Sequence, residues 1–236
     1  MIDLHCHLAY GIDDGPQTPD ESLALALALS KAGVTHVACT SHIRRDKDWV
    51  NDQSAQSQMH DNLDKALGSA GPKRFRGAEH YIDELLVETC QNKQAVPYGD
   101  SDWLLVELPY SAEPPNLMRT LYAIREAGYK LLLAHIERYP YIYRYPEKLE
   151  ALVNAGHRIQ VNLGSLAGAY GPEYQNAAQY LLQDDYVYVL AGDCHHENHV
   201  QTYIIDGLQA ARTLIDEETL KQLTLRNPAR ILGLQL

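Results

Sequence analysis

His5 and His7 stand two apart in the opening IDLHCH, a spacing that turns both imidazoles to the same side of an extended segment, where they can chelate one ion. The same two chemistries, imidazole and carboxylate, recur along the chain: His42 in ACTSH, Glu79 in RGAEH, Glu107 in LLVELPY, His135 in LLAHIERY, and Asp193 and His195 in LAGDCH. Each falls at the end of a short β-type run. Any one of them, taken alone, reads as a hydrogen-bonded structural residue or a solvated one. Their return at one strand end after another has no evident folding purpose. Carboxylates gathered in a cleft raise one another's pKa and cost stability unless cations offset the repulsion. A polynuclear metal site removes that conflict, and mixed imidazole and carboxylate donors without cysteine suit zinc, manganese or iron.

Strand candidates that could carry these residues are Ile2–Leu4, His36–Cys39, Phe75–Glu79, Trp103–Glu107, Lys130–Ala134, Arg158–Asn162 and Val187–Ala191. Helical patterns alternate with them, which predicts an α/β architecture with mainly parallel strands. In a parallel barrel the loops at the carboxyl ends of the strands converge on one rim. Thr18, Pro19 and Glu21 form a capping box that starts the first helix, and Gly33 stops it. Further helices are expected over Gln53–Leu67, Pro115–Ala127, Glu147–Asn154, Gln175–Gln183, Gln201–Leu214 and Glu217–Leu225. No Pro- or Ser-rich linker divides the chain, so residues 1–236 are read as one domain. His36, His60, His80 and His157 lie away from the predicted rim and are assigned structural or surface places.

The chain is 45% apolar and 22% charged, ordinary for a globular protein. Twenty basic residues against thirty-one acidic ones give a formal net charge of −11, which argues against a nucleic-acid surface. Cys6, Cys39, Cys90 and Cys194 contain no C-x-x-C pair, as expected of a reducing compartment. The MIDLHCH opening has neither a basic nor an apolar leader region, and no apolar run is long enough to cross a bilayer. A cytoplasmic protein without membrane insertion is expected.

These segments resemble the polymerase and histidinol phosphatase (PHP) superfamily, and more narrowly the bacterial manganese-dependent protein-tyrosine phosphatases of capsule and exopolysaccharide operons. The resemblance runs through MIDLHCHLAYGIDDGPQTPDES, ACTSH, RGAEHYID, LLVELPY, LLAHIERY, IQVNLGSLAG, LAGDCH and NPARILG, nearly the whole chain. It implies a distorted (β/α)7 TIM-like barrel holding three divalent ions, manganese first, with iron or zinc as alternatives. His5, His7, Glu79 and Asp193 would hold one ion. Glu79, as a bridge, would hold the second with Glu107 and His135, and Asp14, His42 and His195 the third. Arg138 would bind phosphate, with Asp14 and His42 also in the catalytic set; a surface salt bridge to Glu137 is the plainer reading of Arg138. Asp13 reads as a turn former before Gly15. The sequence departs from the family pattern at Ile43, Ile136 and Cys194, and lacks an arginine after the last histidine, where His196 or His199 stands instead.

The implied activity is hydrolysis of phosphotyrosine, on a bacterial tyrosine autokinase with a tyrosine-rich tail. A phenol, with a pKa of about 10, leaves with less help from a general acid than a serine hydroxyl, so aryl phosphates are favoured. Three rivals stand beside it. Cys39 and Arg45 have the C-x5-R spacing of a thiolate phosphatase loop, though without its glycines. A small-molecule phosphoesterase, such as one acting on histidinol phosphate, would use the same metal cluster. A noncatalytic, metal-stabilised regulatory protein would bind ions without hydrolysis. Tyr139, Tyr141, Tyr143 and Tyr145 alternate after Arg138 and read as rim packing or as a substrate approach.

Overall fold

A computed structural model describes residues 1–49 and 52–235. Among them, nine strands form two parallel sheets: β1 (Ile2–Cys6), β2 (His36–Cys39) and β4 (Lys73–Arg76) in the first, and β3 (His42–Ile43), β5 (Glu79–Tyr81), β6 (Trp103–Glu107), β7 (Lys130–Leu133), β8 (Arg158–Asn162) and β9 (Val187–Ala191) in the second. The nine occupy seven positions. β2 and β3 are one strand interrupted at Thr40 and Ser41, β4 and β5 one strand interrupted at Gly77 and Ala78, and the pairing of β2 with β4 resumes as β3 with β5. The interruption is tight, because a Cβ on Gly77 would lie 3.2 Å from both Thr40 Cγ2 and Tyr98 Cδ1.

The ladders do not run continuously around the ring. Among the described residues no ladder joins β1 to β9; their ends meet through the Cys6–Cys194 bridge, with Asp193 N–H to His5 O (2.7 Å) and His7 N–H to Cys194 O (2.9 Å), and through Gly192 N–H to Asp3 Oδ1 (2.9 Å). The expected seven-unit barrel is therefore present in distorted form. Its third predicted strand, Phe75–Glu79, is corrected: it splits in two, and Glu79 opens β5 instead of closing a strand. The break lets the chain change sheets and aims Glu79 into the rim.

Strands buried on both faces explain the unbroken apolar runs of β6, β7 and β9. Alternate residues divide between two cores. Leu105, Leu132, Ala134, Val189 and Ala191 pack with Ile2 and Leu4 inside the ring, and the C-terminal Ala229 and Ile231 plug the end where β9 begins. Leu104, Val106, Leu131, Leu133 and Leu190 face outward onto the helices. Alternation puts Glu107 on the same face as Leu105.

The first helix, α1 (Pro19–Lys31), starts with the anticipated capping box, and α2 spans Gln53–Leu67. The Gln201–Leu214 prediction is corrected to a π-helical turn, Gln201–Asp206, followed by a short helix, Gly207–Arg212. Gly207 is pressed against Leu163 there, where a Cβ would lie 2.6 Å from its carbonyl oxygen. Glu217–Leu225 likewise becomes Glu217–Lys221, a π-helical turn over Gln222–Arg226 and then Asn227–Ile231. No helix among the described residues is long and apolar enough to cross a membrane. Thr18→Ala should remove the cap bond to Glu21 N–H and lower unfolding stability by about 1 kcal/mol, read as a shift of the urea midpoint at constant slope.

Candidate metal centre

β1 brings His5 and His7 to the rim, the start of β5 supplies Glu79, and the turn after β9 supplies Asp193. His5 Nε2 lies 3.2 Å from Glu79 Oε2 and 3.3 Å from Asp193 Oδ1; His7 Nε2 lies 3.4 Å from each. The two Nε2 atoms are 3.3 Å apart. Neighbours decide which nitrogen of each ring carries the hydrogen. Gln160 Oε1 accepts from the backbone N–H of His135 and faces His5 Nδ1 at 3.1 Å, so that Nδ1 must donate. Asp13 Oδ2, an acceptor only, faces His7 Nδ1 at 2.8 Å. In the neutral rings both Nε2 lone pairs then point at each other and at two carboxylates. Acceptors converging with no donor among them are unstable unless a cation, or protons in its place, lies between. The residues fit a bound divalent ion.

The neighbouring groups share these residues. His135 Nε2 is 2.9 Å from Glu79 Oε1, and His42 Nδ1 is 3.0 Å from Glu79 Oε2. Glu107 Oε2 lies 3.8 Å from His42 Nδ1 and accepts from Arg44 Nη1 at 3.2 Å. Asp14 Oδ1 sits 3.2 Å from His195 Nε2 and 3.7 Å from His42 Nε2. All nine residues singled out in the sequence have donor atoms in groups that lie within 4.8 Å of one another. The grouping follows the expected sets only in part: His5 and His7 fall with Asp193, His7 also with Asp14, His42 and His195, and Glu79 once with His5 and His135 and once with His42 and Glu107. His135 and Asp193 adopt left-handed backbone (φ +34° and +57°), strain held at the rim by the packing around it.

Burial works against the imidazolium of His5, but Asp193 and Glu79 outweigh it and push its pKa up to about 9. Burial also opposes ionisation of Glu79, yet His5 and His42 hold its carboxyl well below the usual range. Burial and then the charge of Glu79 push Glu107 up to about 8. The cluster thus holds protons where cations would otherwise neutralise it.

The cleft over these groups has a volume of about 520 Å³. Arg138 reaches into it with its guanidinium between two rings, 4.5 Å from the Tyr110 centroid and 4.9 Å from that of Tyr170, and 4.0 Å from Asp193 Oδ2. Glu137 does not pair with it: that carboxylate is buried and accepts from Asn162 N–H and the Ser165 hydroxyl. His196 and His199 line the cleft, and so do Arg44, Lys47 and Trp49 from the opposite side. His199 Nδ1 accepts from His195 N–H.

The thiolate rival does not fit. Cys39 is buried, faces a separate cleft under α2, and has its thiol pushed up to about 12 by burial, while Arg45 binds Asp83 and Thr89. Three of the four alternating tyrosines pack at the rim: Tyr139 is buried against His135, Tyr141 donates to Pro109 O and Tyr143 donates to Glu173, while Tyr145 is exposed. Sequence reasoning missed Asp13, Gln160, Tyr110 and Tyr170. For Asp13 the turn reading is also correct, since its Oδ1 accepts from Gly15 N–H. That local role hid the second, long-range one.

Similarity to known proteins agrees with this centre. Tyrosine-protein phosphatase YwqE of Bacillus subtilis is 28% identical over 198 residues, 83% of this chain and 78% of its own. Tyrosine-protein phosphatase CpsB of Streptococcus pneumoniae is 26% identical over 251 residues, covering both chains completely. A crystal structure from the work on these two proteins, described as unique metal-dependent tyrosine phosphatases, superposes with a TM-score of 0.89 at 25% identity, over 100% of this chain and 96% of the other. A phosphotriesterase homology protein from Escherichia coli, 12% identical over 97% of both chains, shares the fold at a TM-score of 0.60. The model of the family "Capsular polysaccharide synthesis, CpsB/CapC" matches residues 1–233, and the chain belongs to that family.

Proposed function

We propose that this chain is a metal-dependent phosphoric monoester hydrolase that removes phosphate from phosphotyrosine in proteins. One observation carries the reading: the Nε2 atoms of His5 and His7 converge with the oxygens of Glu79 and Asp193, beside a cleft into which Arg138 projects. The names of the relatives supply the substrate class. Three ions would be held by His5, His7, Glu79 and Asp193; by Glu79, Glu107 and His135; and by Asp14, His42 and His195. Manganese is the proposed metal, with iron and zinc as alternatives. When bound, such cations supply Lewis acidity toward phosphoryl oxygens and make water a nucleophile at neutral pH.

The chain's own residues do the rest. Arg138, held against the rings of Tyr110 and Tyr170, would offer its fork to the phosphate oxygens. Asp14 and His42, the other two residues given a catalytic part, sit at the cleft with His195. A phenolate needs no strong general acid to leave, which favours aryl esters. We propose further that the physiological substrate is the tyrosine-rich tail of a bacterial tyrosine autokinase, dephosphorylated in the cytoplasm, and that residues 1–236 act as one domain.

Hydrolysis of a tyrosine-phosphorylated tail peptide should be lost on chelation and restored by manganese, and should be indifferent to iodoacetate. Preference for histidinol phosphate over the peptide would move the chain to the small-molecule phosphoesterases; full ion loading without turnover of either would make it a binding protein. Arg138→Ala should lower kcat/KM by roughly thirtyfold, the loss of about 2 kcal/mol of charge-assisted bonding, with metal content unchanged. Because the ion-free cluster keeps His5 protonated up to about 9 and Glu107 up to about 8, ion binding at pH 7 should release protons. Release should fall as pH rises through those values, where the groups have already lost their protons. Calorimetry in buffers of different ionisation enthalpy measures it.

A further inference from the structure

Two buried residues outside the candidate ligand set each touch two of the proposed ion sites. Asp13 Oδ2 accepts from His7 Nδ1 and, at 2.8 Å, from the backbone N–H of His42. Its Oδ1 closes the turn at Gly15, next to Asp14. One carboxylate thereby orients a ring of the His5/His7/Glu79/Asp193 site, anchors the backbone of His42 and closes the turn that carries Asp14. Gln160 does the same on the other side. Its Oε1 accepts from His5 Nδ1 and from the backbone N–H of His135, and its Nε2 donates to Asn162 Oδ1 at 2.6 Å. Asn162 Nδ2 in turn donates to Asp193 Oδ2 at 2.8 Å. Asp13 and Gln160 are 6% and 0% exposed, so neither bond can be replaced by bulk water.

We infer that Asp13 and Gln160 are positioning residues that couple the ion sites in pairs: Asp13 joins the first site to the third, and Gln160 joins the first to the second. This rests on the reading of the cluster as a cation site. The physical reason is the ring hydrogen. An acceptor at Nδ1 keeps that hydrogen away from the rim and leaves Nε2 free to bind a cation, and outer partners of this kind set ligand orientation and affinity. Asn at position 13 keeps the shape and inverts the chemistry. With its oxygen on Gly15 N–H, its amide nitrogen faces His7 Nδ1 and His42 N–H. The His7 hydrogen is then driven onto Nε2, where it blocks the ion.

The test uses full-length protein stripped by chelator and reloaded with manganese. Ion number is read by mass spectrometry, affinity by competition with a chromogenic chelator, and position by anomalous scattering. Asp13→Asn should weaken the first and third sites by roughly 10–100-fold and spare Glu79/Glu107/His135. Gln160→Leu should weaken the first and second and spare Asp14/His42/His195. Wild-type affinity at every site in Asp13→Asn, or loss confined to one site, overturns the coupling. A measurement without variants guards against misfolding: in zinc-loaded wild type, nitrogen-15 correlation spectra should show both His5 and His7 with hydrogen on Nδ1. Hydrogen on Nε2 of either ring overturns the inference. Wild type that binds no ions would instead defeat the metal-centre reading itself, a result separable from those above.

Discussion

Like-charged and acceptor-only groups forced together in a buried rim set the terms for the whole site. Glu79 alone touches His5, His7, His42 and His135 within 3.4 Å. A carboxylate so placed, buried with Glu107 and Asp193 nearby, is tolerable only with positive charge among the rings. Without ions, protons on the imidazoles supply that charge; with ions, the same lone pairs become ligands. His135 and Asp193 hold left-handed backbone at this rim, where the packing around them over-determines it.

The fold serves this cluster through its irregularities. A regular seven-strand barrel would end each strand at one level. Here two strands break midway, at Thr40–Ser41 and Gly77–Ala78, and resume in the second sheet, which places His42 and Glu79 as paired residues at the start of β3 and β5. Backbone bonds join the end of β1 to the turn after β9, where His5, His7 and Asp193 meet. Outside the ring, aliphatic packing between strands and helices supplies stability without polar demands, so the rim can carry unfavourable electrostatics.

Around the cluster, the supporting groups are neutral or aromatic on one side and cationic on the other. The Tyr110 and Tyr170 rings both lie against the Arg138 guanidinium, which also faces Asp193 at 4.0 Å, and Tyr139 backs His135. Arg44 is already engaged by Glu107 and Asp46.

Much of this was legible in the residues themselves. Strand-end position and residue type marked His5, His7, His42, Glu79, Glu107, His135, Asp193 and His195, because ligands must sit on rigid elements and hydrophobic periodicity reveals those elements. Alternating strand and helix patterns gave the parallel architecture for the same reason, and the Thr18 cap is a purely local signal. Tertiary structure decided what depends on distant partners: the breaks in two strands, set by the close approach of Gly77 to Thr40 and Tyr98; the second role of Asp13, whose turn bond is local while its bonds to His7 and His42 are not; and Gln160, an unremarked polar residue in an apolar strand. A hydrogen bond across the barrel leaves no periodic trace in the chain, so the choice of which imidazole nitrogen faces the rim belonged to the folded molecule alone.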